Sequence, residues 1–347
     1  MRRSMTCALF FGMSLATVNA TAFDEAGHFY TAYALAVSIP EGGDARERLL
    51  VALCAQLPDM SADLDAVTVY SRAITKSPWA WIQWGTSDKI NSLPVRKMIT
   101  VQHLLHALTG GSSESTEAVA LRNVEILRER LDKATAKKPE DLCALGFALH
   151  FLGDSVAHQM LDDPSKMYKT GRGHAADLHY PDYALCDGLA SAPRIFRHCS
   201  PEGIHRFAKW KNLWSGAPKT YDPAGLKFDA AKRKQMIDAV AGLEATANDS
   251  NDWNESDMRV ILASKRTEAG AYRDFIESHK SDDSCEKVLA EATKLPDLTK
   301  FAGLTCAAVW SSYIPSIKSA FDERGAGARS DLSADFKSVY VDDVLDK

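Results

Sequence analysis

Strand-forming patterns are missing from this chain of 347 residues, because no run of alternating apolar and polar residues and no Asn-Gly hairpin stands out. Beyond the first 22 residues no segment offers eighteen consecutive apolar residues, so we expect no membrane-spanning helix there. A basic surface for nucleic acid is also absent, since 46 acidic residues face 41 basic ones. What is present is 46% hydrophobic residues, enough for a sizeable globular core.

The first 22 residues predict a secretory signal peptide. Two arginines precede an apolar run, and small residues at 18–20 and 20–22 form two overlapping cleavage sites. Cleavage after Ala22 would leave Phe23 as the first residue. The 41 basic residues would then fall to 39 against 46 acidic ones, a net charge of −7. We therefore expect a secreted or periplasmic protein.

Six cysteines follow the signal peptide, and their spacing contains no Cys-x-x-Cys pair of the zinc-binding kind. An even number of cysteines in an oxidising compartment indicates up to three disulfides. The spacing leaves the connectivity open, and Cys186–Cys199 and Cys285–Cys306 are predicted as the local pairs. The six are Cys54, Cys143, Cys186, Cys199, Cys285 and Cys306.

Apolar residues recur with the helical period along most of the chain. The pattern is strongest at 115–134 and at 138–160, where Pro139 and acidic residues occupy the first turn. Residues from about 160 to 228 are rich in Gly, Pro, His and aromatics and predict a long irregular stretch. We expect an all-α protein, a multi-helix bundle. Weaker helical patterns cover 24–38, 43–57, 95–108, 228–245, 256–280, 285–294 and 303–321.

Three side chains that can bind metal recur at intervals of four in the segment "LHFLGDSVAH": His150, Asp154 and His158. At about 100° per residue, each interval of four turns the helix by only about 40°, so the three share one face. Apolar residues cover the other faces, so this polar stripe is expected to be buried and to need partners. Nitrogen and oxygen ligands suit zinc, and a carboxylate can bridge two ions. Ordinary hydrogen bonds in a core are the alternative.

Further histidines and aspartates extend this pattern along the chain. "FDEAGH" places His28 five residues after Phe23, "AQLPDM" contains Asp59, and "VQHLLHALTGG" contains His103 and His106. Beyond the triplet, "GRGHAADLHYPD" contains His174, Asp177, His179 and Asp182. In this order the motifs resemble the zinc-dependent phospholipase C and P1 nuclease superfamily, especially its uncharacterised bacterial branches.

The resemblance implies a helical fold of the phospholipase C and P1 nuclease type with about three zinc ions. In that family the amino group and carbonyl of the mature N-terminal aromatic residue bind zinc. One ion would be bound by Phe23, His28 and Asp154. A second would be bound by Asp59, His106, His150 and the bridging Asp154. The third would be bound by His158, His174 and either Asp177 or Asp182.

The choice of His106 over His103 rests on the family's Leu-His element, which precedes a non-helical Thr-Gly-Gly stretch here. Elsewhere the chain departs from the family pattern. Phe23 replaces the usual Trp, which matters little because main-chain atoms bind the metal. The interval from Asp154 to His158 is four, where well-characterised members have six with a proline between.

The resemblance extends from residue 23 to about residue 182. We divide the chain into a signal peptide at 1–22, a phosphodiesterase-like helical domain at 23–250 and a C-terminal helical extension at 251–347. The extension could also belong to the same domain.

The implied activity is metal-assisted hydrolysis of a phosphodiester. Asp59 is the candidate catalytic residue that orients the attacking water and accepts its proton, with a pure metal anchor as the alternative. Phospholipid is the favoured substrate. A nuclease or nucleotidase acting on single strands, or a metal-binding protein without turnover, are the alternatives.

A cluster of tryptophans in "SPWAWIQWG" indicates a surface that could make peripheral contact with a membrane. Trp79, Trp81 and Trp84 could equally stack on a nucleic acid base or pack over the core.

Overall fold

The computed structural model describes residues 43–77, 92–160, 163–171, 173, 273–279 and 283–324, together with the helical positions His28, Phe29, Ala32, Tyr33 and Ala36. Of this part of the chain 73% is helical and none of it forms a strand. The predicted all-α class is therefore confirmed for the residues described. The signal peptide, the tryptophan cluster, the helix predicted at 228–245 and most of that predicted at 256–280 lie outside them.

Helices account for most of the described residues. None of the helices described is long and apolar enough to cross a membrane. In chain order they are α1 (Ala45–Met60), α2 (Ala66–Lys76), α3 (Leu93–Leu104), α4 (Ser113–Lys133), α5 (Pro139–Ala157), α6 (Arg273–Ser278), α7 (Cys285–Ala292), a 3₁₀ helix (Pro296–Phe301) and α8 (Cys306–Arg324).

Among the α-helices described, α2 is the one that the sequence patterns did not predict. Five of its eleven residues are β-branched, which lowers helix propensity and hides the pattern. The Asp65 side chain starts the helix by accepting a hydrogen bond from the Thr68 backbone N–H at 2.7 Å. Packing against α3 then stabilises it.

Helix α3 ends earlier than predicted. The helical pattern extended to residue 108, but the helix ends at Leu104 and Ala107 adopts a left-handed backbone with φ of 51°. Such a backbone is uncommon for a residue with a Cβ and costs roughly 1–2 kcal/mol. The chain turns sharply here. His106 therefore lies beyond the end of the helix, and its side chain is buried in the interior.

Helices α1 and α5 pack closely against each other in the core. A Cβ atom at Gly146 of α5 would overlap the Val51 carbonyl and would lie 2.7 Å from the Cys54 Cβ of α1, so only glycine allows this approach. A disulfide joins Cys54 to Cys143 across the pair, with Cα atoms 5.1 Å apart. Asp59 lies in the last turn of α1, while His150 and Asp154 lie along α5. The tight pair therefore sets the distance between these polar side chains.

The C-terminal helices pack on the same core. The Tyr313 hydroxyl of α8 donates to the Leu104 carbonyl at 2.8 Å, and Arg130 of α4 donates to the Ser312 carbonyl at 3.0 Å. The predicted Cys285–Cys306 disulfide is confirmed and joins α7 to α8. Cys186 and Cys199 lie outside the described residues.

Candidate metal centre

Six side chains that the sequence singled out meet in one buried group, named here the central cluster. They come from the helical residues near position 28, the last turn of α1, the turn after α3, and α5 with its C-cap. Each is at most 3% exposed, so water does little to solvate their polar atoms. The six are His28, Asp59, His106, His150, Asp154 and His158.

Asp154 divides its two carboxylate oxygens between different histidines. Its Oδ1 lies 3.1 Å from His28 Nε2. Its Oδ2 lies 3.0 Å from His106 Nδ1 and 3.2 Å from His150 Nε2. His158 Nδ1 is farther away, 3.7 Å from the same Oδ2. One oxygen thus faces His28 and the other faces the remaining histidines, an arrangement that lets the carboxylate bridge two ions.

The two carboxylate oxygens of Asp59 also face different histidines, but at longer distances than those of Asp154. Oδ2 lies 3.8 Å from His28 Nε2, while Oδ1 lies 3.8 Å from His150 Nε2 and 3.9 Å from His106 Nδ1. These separations exceed a hydrogen bond. They remain short enough for His28, Asp59 and His150 to offer ligand atoms within 4.8 Å of one another.

Backbone carbonyls select the tautomers of two histidines. His150 Nδ1 lies 2.8 Å from the Ala55 carbonyl, and His106 Nε2 lies 2.8 Å from the Leu64 carbonyl. A carbonyl oxygen can only accept, so these two nitrogens carry the protons. In the neutral rings His150 Nε2 and His106 Nδ1 are therefore left as lone pairs. The other nitrogen of a metal-ligating histidine is typically occupied in this way.

The central cluster fits a divalent cation. His150 Nε2 and His106 Nδ1 lie 3.1 Å apart, and both face Asp154 Oδ2. A cation bound here would be within reach of all three atoms at once. Metal–nitrogen distances of about 2.0–2.1 Å in a tetrahedral site place ligand atoms about 3.3 Å apart. The donor atoms of His106, His150 and Asp154 thus already have nearly the spacing that zinc requires.

Ionisation of the central cluster follows its burial. Burial lowers the pKa of His150 to about 3, and the nearby His28 acts in the same direction, so the ring is neutral at ordinary pH. Burial by itself would raise the pKa of the Asp154 carboxyl. The imidazoles of His158, His150 and His106 outweigh burial and hold that pKa well below its usual value.

Within the central cluster, His158 is held in place by the turn after α3. It caps α5, and its Nδ1 donates to the His106 carbonyl. The left-handed Ala107 follows immediately. Backbone strain next to a polar cluster is typical of functional sites. The strained turn therefore presents the His106 side chain to Asp154 and the His106 carbonyl to His158.

The remaining predicted ligands lie outside the described residues. They are Phe23, His174, Asp177 and Asp182. His103, the alternative to His106, is buried on α3 with its ring 5.7 Å from the Phe321 ring of α8. It belongs to none of the candidate ligand groups found among the described residues.

A second group of ligand-type side chains lies near α7 and is named here the peripheral group. It consists of the half-buried His279, Asp283 and Glu291. His279 Nδ1 donates to the Phe275 carbonyl at 2.8 Å, and Nε2 lies 3.0 Å from a Glu291 oxygen. The Lys287 ammonium lies 2.5 Å from Asp283 Oδ1. Lysine already neutralises one of the two carboxylates, so these residues do not require a metal ion.

Sequence reasoning missed Gln56, the polar side chain closest in sequence to Asp59 on the same helix. Its Nε2 donates to Asp59 Oδ2 at 3.1 Å. The signal was the spacing of three between the two residues, which places them on one face of a helix. The Ala55 and Leu64 carbonyls left no trace in the sequence, because any residue has a carbonyl.

No protein-family model matches this chain, and no curated protein or solved structure shows significant similarity to it. The superfamily resemblance therefore rests on the motif residues alone.

Proposed function

We propose that the protein is a secreted zinc-dependent phosphodiester hydrolase of the phospholipase C kind. One observation carries the proposal. Asp154 Oδ2, His106 Nδ1 and His150 Nε2 converge at 3.0–3.2 Å in a buried site, and the second nitrogen of each ring is bonded to a backbone carbonyl, as in metal-ligating histidines.

The ligand assignment follows the superfamily resemblance. His28 and Asp154 would hold one ion together with the main-chain atoms of Phe23. Asp59, His106, His150 and Asp154 would hold a second. His158 would hold a third with His174 and Asp177 or Asp182. The division of oxygens at Asp154 supports the first two assignments, because one carboxylate oxygen faces each set of histidines.

Bound zinc would supply a water whose pKa is lowered to about 7, together with positive charge beside the phosphate oxygens. The chain's own task is to orient that water and remove its proton. Asp59 is suited to this role because its carboxylate stands 3.8–3.9 Å from three imidazoles, whereas Asp154 is in hydrogen-bond contact with them. The proton would pass to a carboxylate oxygen of Asp59 as the water oxygen attacks phosphorus, while the bond from phosphorus to the ester alcohol oxygen breaks and that oxygen takes up a proton to leave as the alcohol. The apolar core around the cluster excludes competing solvent.

Phospholipid is the proposed substrate class because the net charge is acidic and tryptophans cluster at 79–84. Exposed tryptophans favour membrane interfaces. The acidic charge opposes the long-range attraction that a nucleic acid backbone needs.

The test uses secreted protein whose N terminus has been identified by mass spectrometry. Phosphatidylcholine vesicles, a soluble phosphocholine ester and single-stranded DNA are each incubated with native, chelated and zinc-reconstituted protein. We expect Phe23 to be the first residue, about three zinc ions per chain, and zinc-dependent release of diacylglycerol. Cleavage of DNA alone would replace the lipid assignment by the nuclease alternative. Bound zinc without hydrolysis in any arm would refute the enzymatic function.

A further inference from the structure

The Gln56 side chain links two parts of the central cluster. Only 2% of the residue is exposed, on α1 one turn before Asp59. Its Oε1 accepts from the Phe29 backbone N–H at 3.1 Å, and its Nε2 donates to Asp59 Oδ2 at 3.1 Å. Phe29 directly follows His28. One amide thus connects the segment that carries His28 to the carboxylate of Asp59.

The direction of both hydrogen bonds is fixed by their chemistry. A backbone N–H can only donate, so the oxygen of the Gln56 amide must face Phe29. The NH₂ group then faces Asp59, whose ionised carboxylate can only accept. Reversing the amide would oppose two donors at one end and two acceptors at the other. The arrangement therefore has one stable orientation.

This orientation determines which oxygen of Asp59 faces which histidine. The oxygen that accepts from Gln56, Oδ2, is also the one 3.8 Å from His28 Nε2. The other, Oδ1, is left 3.8 Å from His150 Nε2. Rotation of the carboxylate would break the Gln56 bond.

We propose that Gln56 is a positioning residue of the metal centre, an inference that rests on the proposed zinc-binding role of the cluster. It holds Asp59 so that one oxygen serves the His28 side and the other serves the His106 and His150 side. It also holds His28 in place through Phe29. Gln56 is not a ligand, because the oxygen and the nitrogen of its amide are both engaged.

Two substitutions separate its two bonds. Gln56→Met keeps the length of the side chain and loses both bonds. Gln56→Glu keeps the acceptor for the Phe29 N–H but replaces the donor to Asp59 with a carboxylate. A buried amide elsewhere provides the control: Asn123→Leu on α4, where Asn123 faces Tyr313. Unfolding temperature and circular dichroism report folding for all three.

The decisive readout is zinc affinity, measured by competition with a chromophoric chelator, alongside kcat and KM. Loss of a hydrogen-bond partner of a metal ligand typically costs about 10- to 100-fold in affinity. We expect a loss of that size at the Asp59 site in both Gln56 variants and at the His28 site as well in Gln56→Met, with kcat changing more than KM. Asn123→Leu should keep wild-type zinc affinity.

Wild-type zinc affinity and kcat in Gln56→Met would overturn the proposal. Full recovery in Gln56→Glu would also overturn it, because the Phe29 anchor alone would then suffice. Wild-type protein that binds zinc without hydrolysing lipid would refute the proposed function, yet the affinity comparison would still decide the role of Gln56. Wild-type protein that binds no zinc would refute both.

Discussion

The central cluster and the peripheral group contain the same kinds of side chain, yet their surroundings differ. In the central cluster the Asp154 carboxylate is fully buried and faces the imidazoles of His28, His106 and His150. In the peripheral group the Asp283 carboxylate is 28% exposed and pairs with the Lys287 ammonium. The peripheral group already has a cationic partner in Lys287, whereas the central cluster offers its buried ligand atoms to a metal ion.

Burial therefore separates the two groups. The half-buried His279 lies 3.0 Å from Glu291. His150 is fully buried, and burial lowers its pKa to about 3. Histidine and aspartate at suitable spacing are thus insufficient evidence for metal binding unless burial is also considered, since the second ring nitrogen of His279 is bonded to a carbonyl just as that of His150 is.

The largest effect is expected from Asp154→Ala. Removing the carboxylate that faces both halves of the central cluster should release two zinc ions and reduce phosphodiester hydrolysis to background. His158→Ala should cost chiefly one ion, because His158 Nδ1 lies farther from Asp154. Elemental analysis after dialysis and hydrolysis rates are the measurements, with helix content by circular dichroism.

Exposed Asp132 on α4 provides the charge-matched control, Asp132→Ala, which should keep zinc and activity. If Asp154→Ala retained all its zinc and its full rate, the central cluster would be a hydrogen-bonded core and the enzymatic proposal would fail.

Loss of either of the two disulfides among the described residues should destabilise the protein, but the two losses should differ in magnitude and in their effect on zinc binding. In the chain-entropy model, closing the loop of the Cys54–Cys143 disulfide, which spans 89 residues, is worth about 4.5 kcal/mol, against about 3.3 kcal/mol for the 21 residues of Cys285–Cys306. Double alanine variants should follow this order in denaturant unfolding. Only loss of the first pair should also weaken zinc binding, because Cys54 adjoins Ala55, whose carbonyl orients His150. Equal zinc affinity in the two variants would contradict this coupling.

A smaller effect is expected where α1 and α5 approach each other. Gly146→Ala places a Cβ against Val51 and Cys54, and overpacking of this kind costs about 1–3 kcal/mol. The helices must separate slightly, which should also lengthen the bond from His150 to Ala55 and weaken zinc binding. Gly111→Ala is the matched control, since its nearest neighbour would be Thr109 Oγ1 at 3.6 Å. A Gly146→Ala protein as stable as Gly111→Ala would show that the close approach is dispensable.

The smallest effect is expected in the peripheral group. His279→Gln should leave zinc content unchanged, because Lys287 rather than a metal balances Asp283. The hydrogen bond that Lys287 donates to Asp283 raises the pKa of Lys287, so the ammonium remains charged. Lys287→Ala should create weak zinc binding that His279→Gln abolishes, measured by titration in the Asp154→Ala background. If His279→Gln alone lowered the zinc content of the protein, the peripheral group would bind metal and the two regions would not differ in this respect.

Sequence patterns correctly predicted the helices whose formation depends mainly on residues close in sequence. The helical period correctly predicted α4 and α5, and the ends of α1, α7 and α8 lie within about three residues of the predicted ones. Helix α2 was missed because β-branched residues weaken its local signal and packing on α3 stabilises it. The predicted end of α3 was wrong because the turn at Ala107 is maintained by tertiary contacts of His106.

The sequence by itself determined the all-α class, the Cys285–Cys306 pairing as a local prediction, and a set of side chains with ligand chemistry on one helix face. These follow from helical periodicity and short separations. The tertiary structure decided the rest. It joined Cys54 to Cys143, aimed the Ala55 and Leu64 carbonyls at two imidazoles, and brought His28 to Asp154 across 126 residues. Such contacts depend on how closely two helices pack, and that distance is set by all the residues between them rather than by the spacing of the ligands.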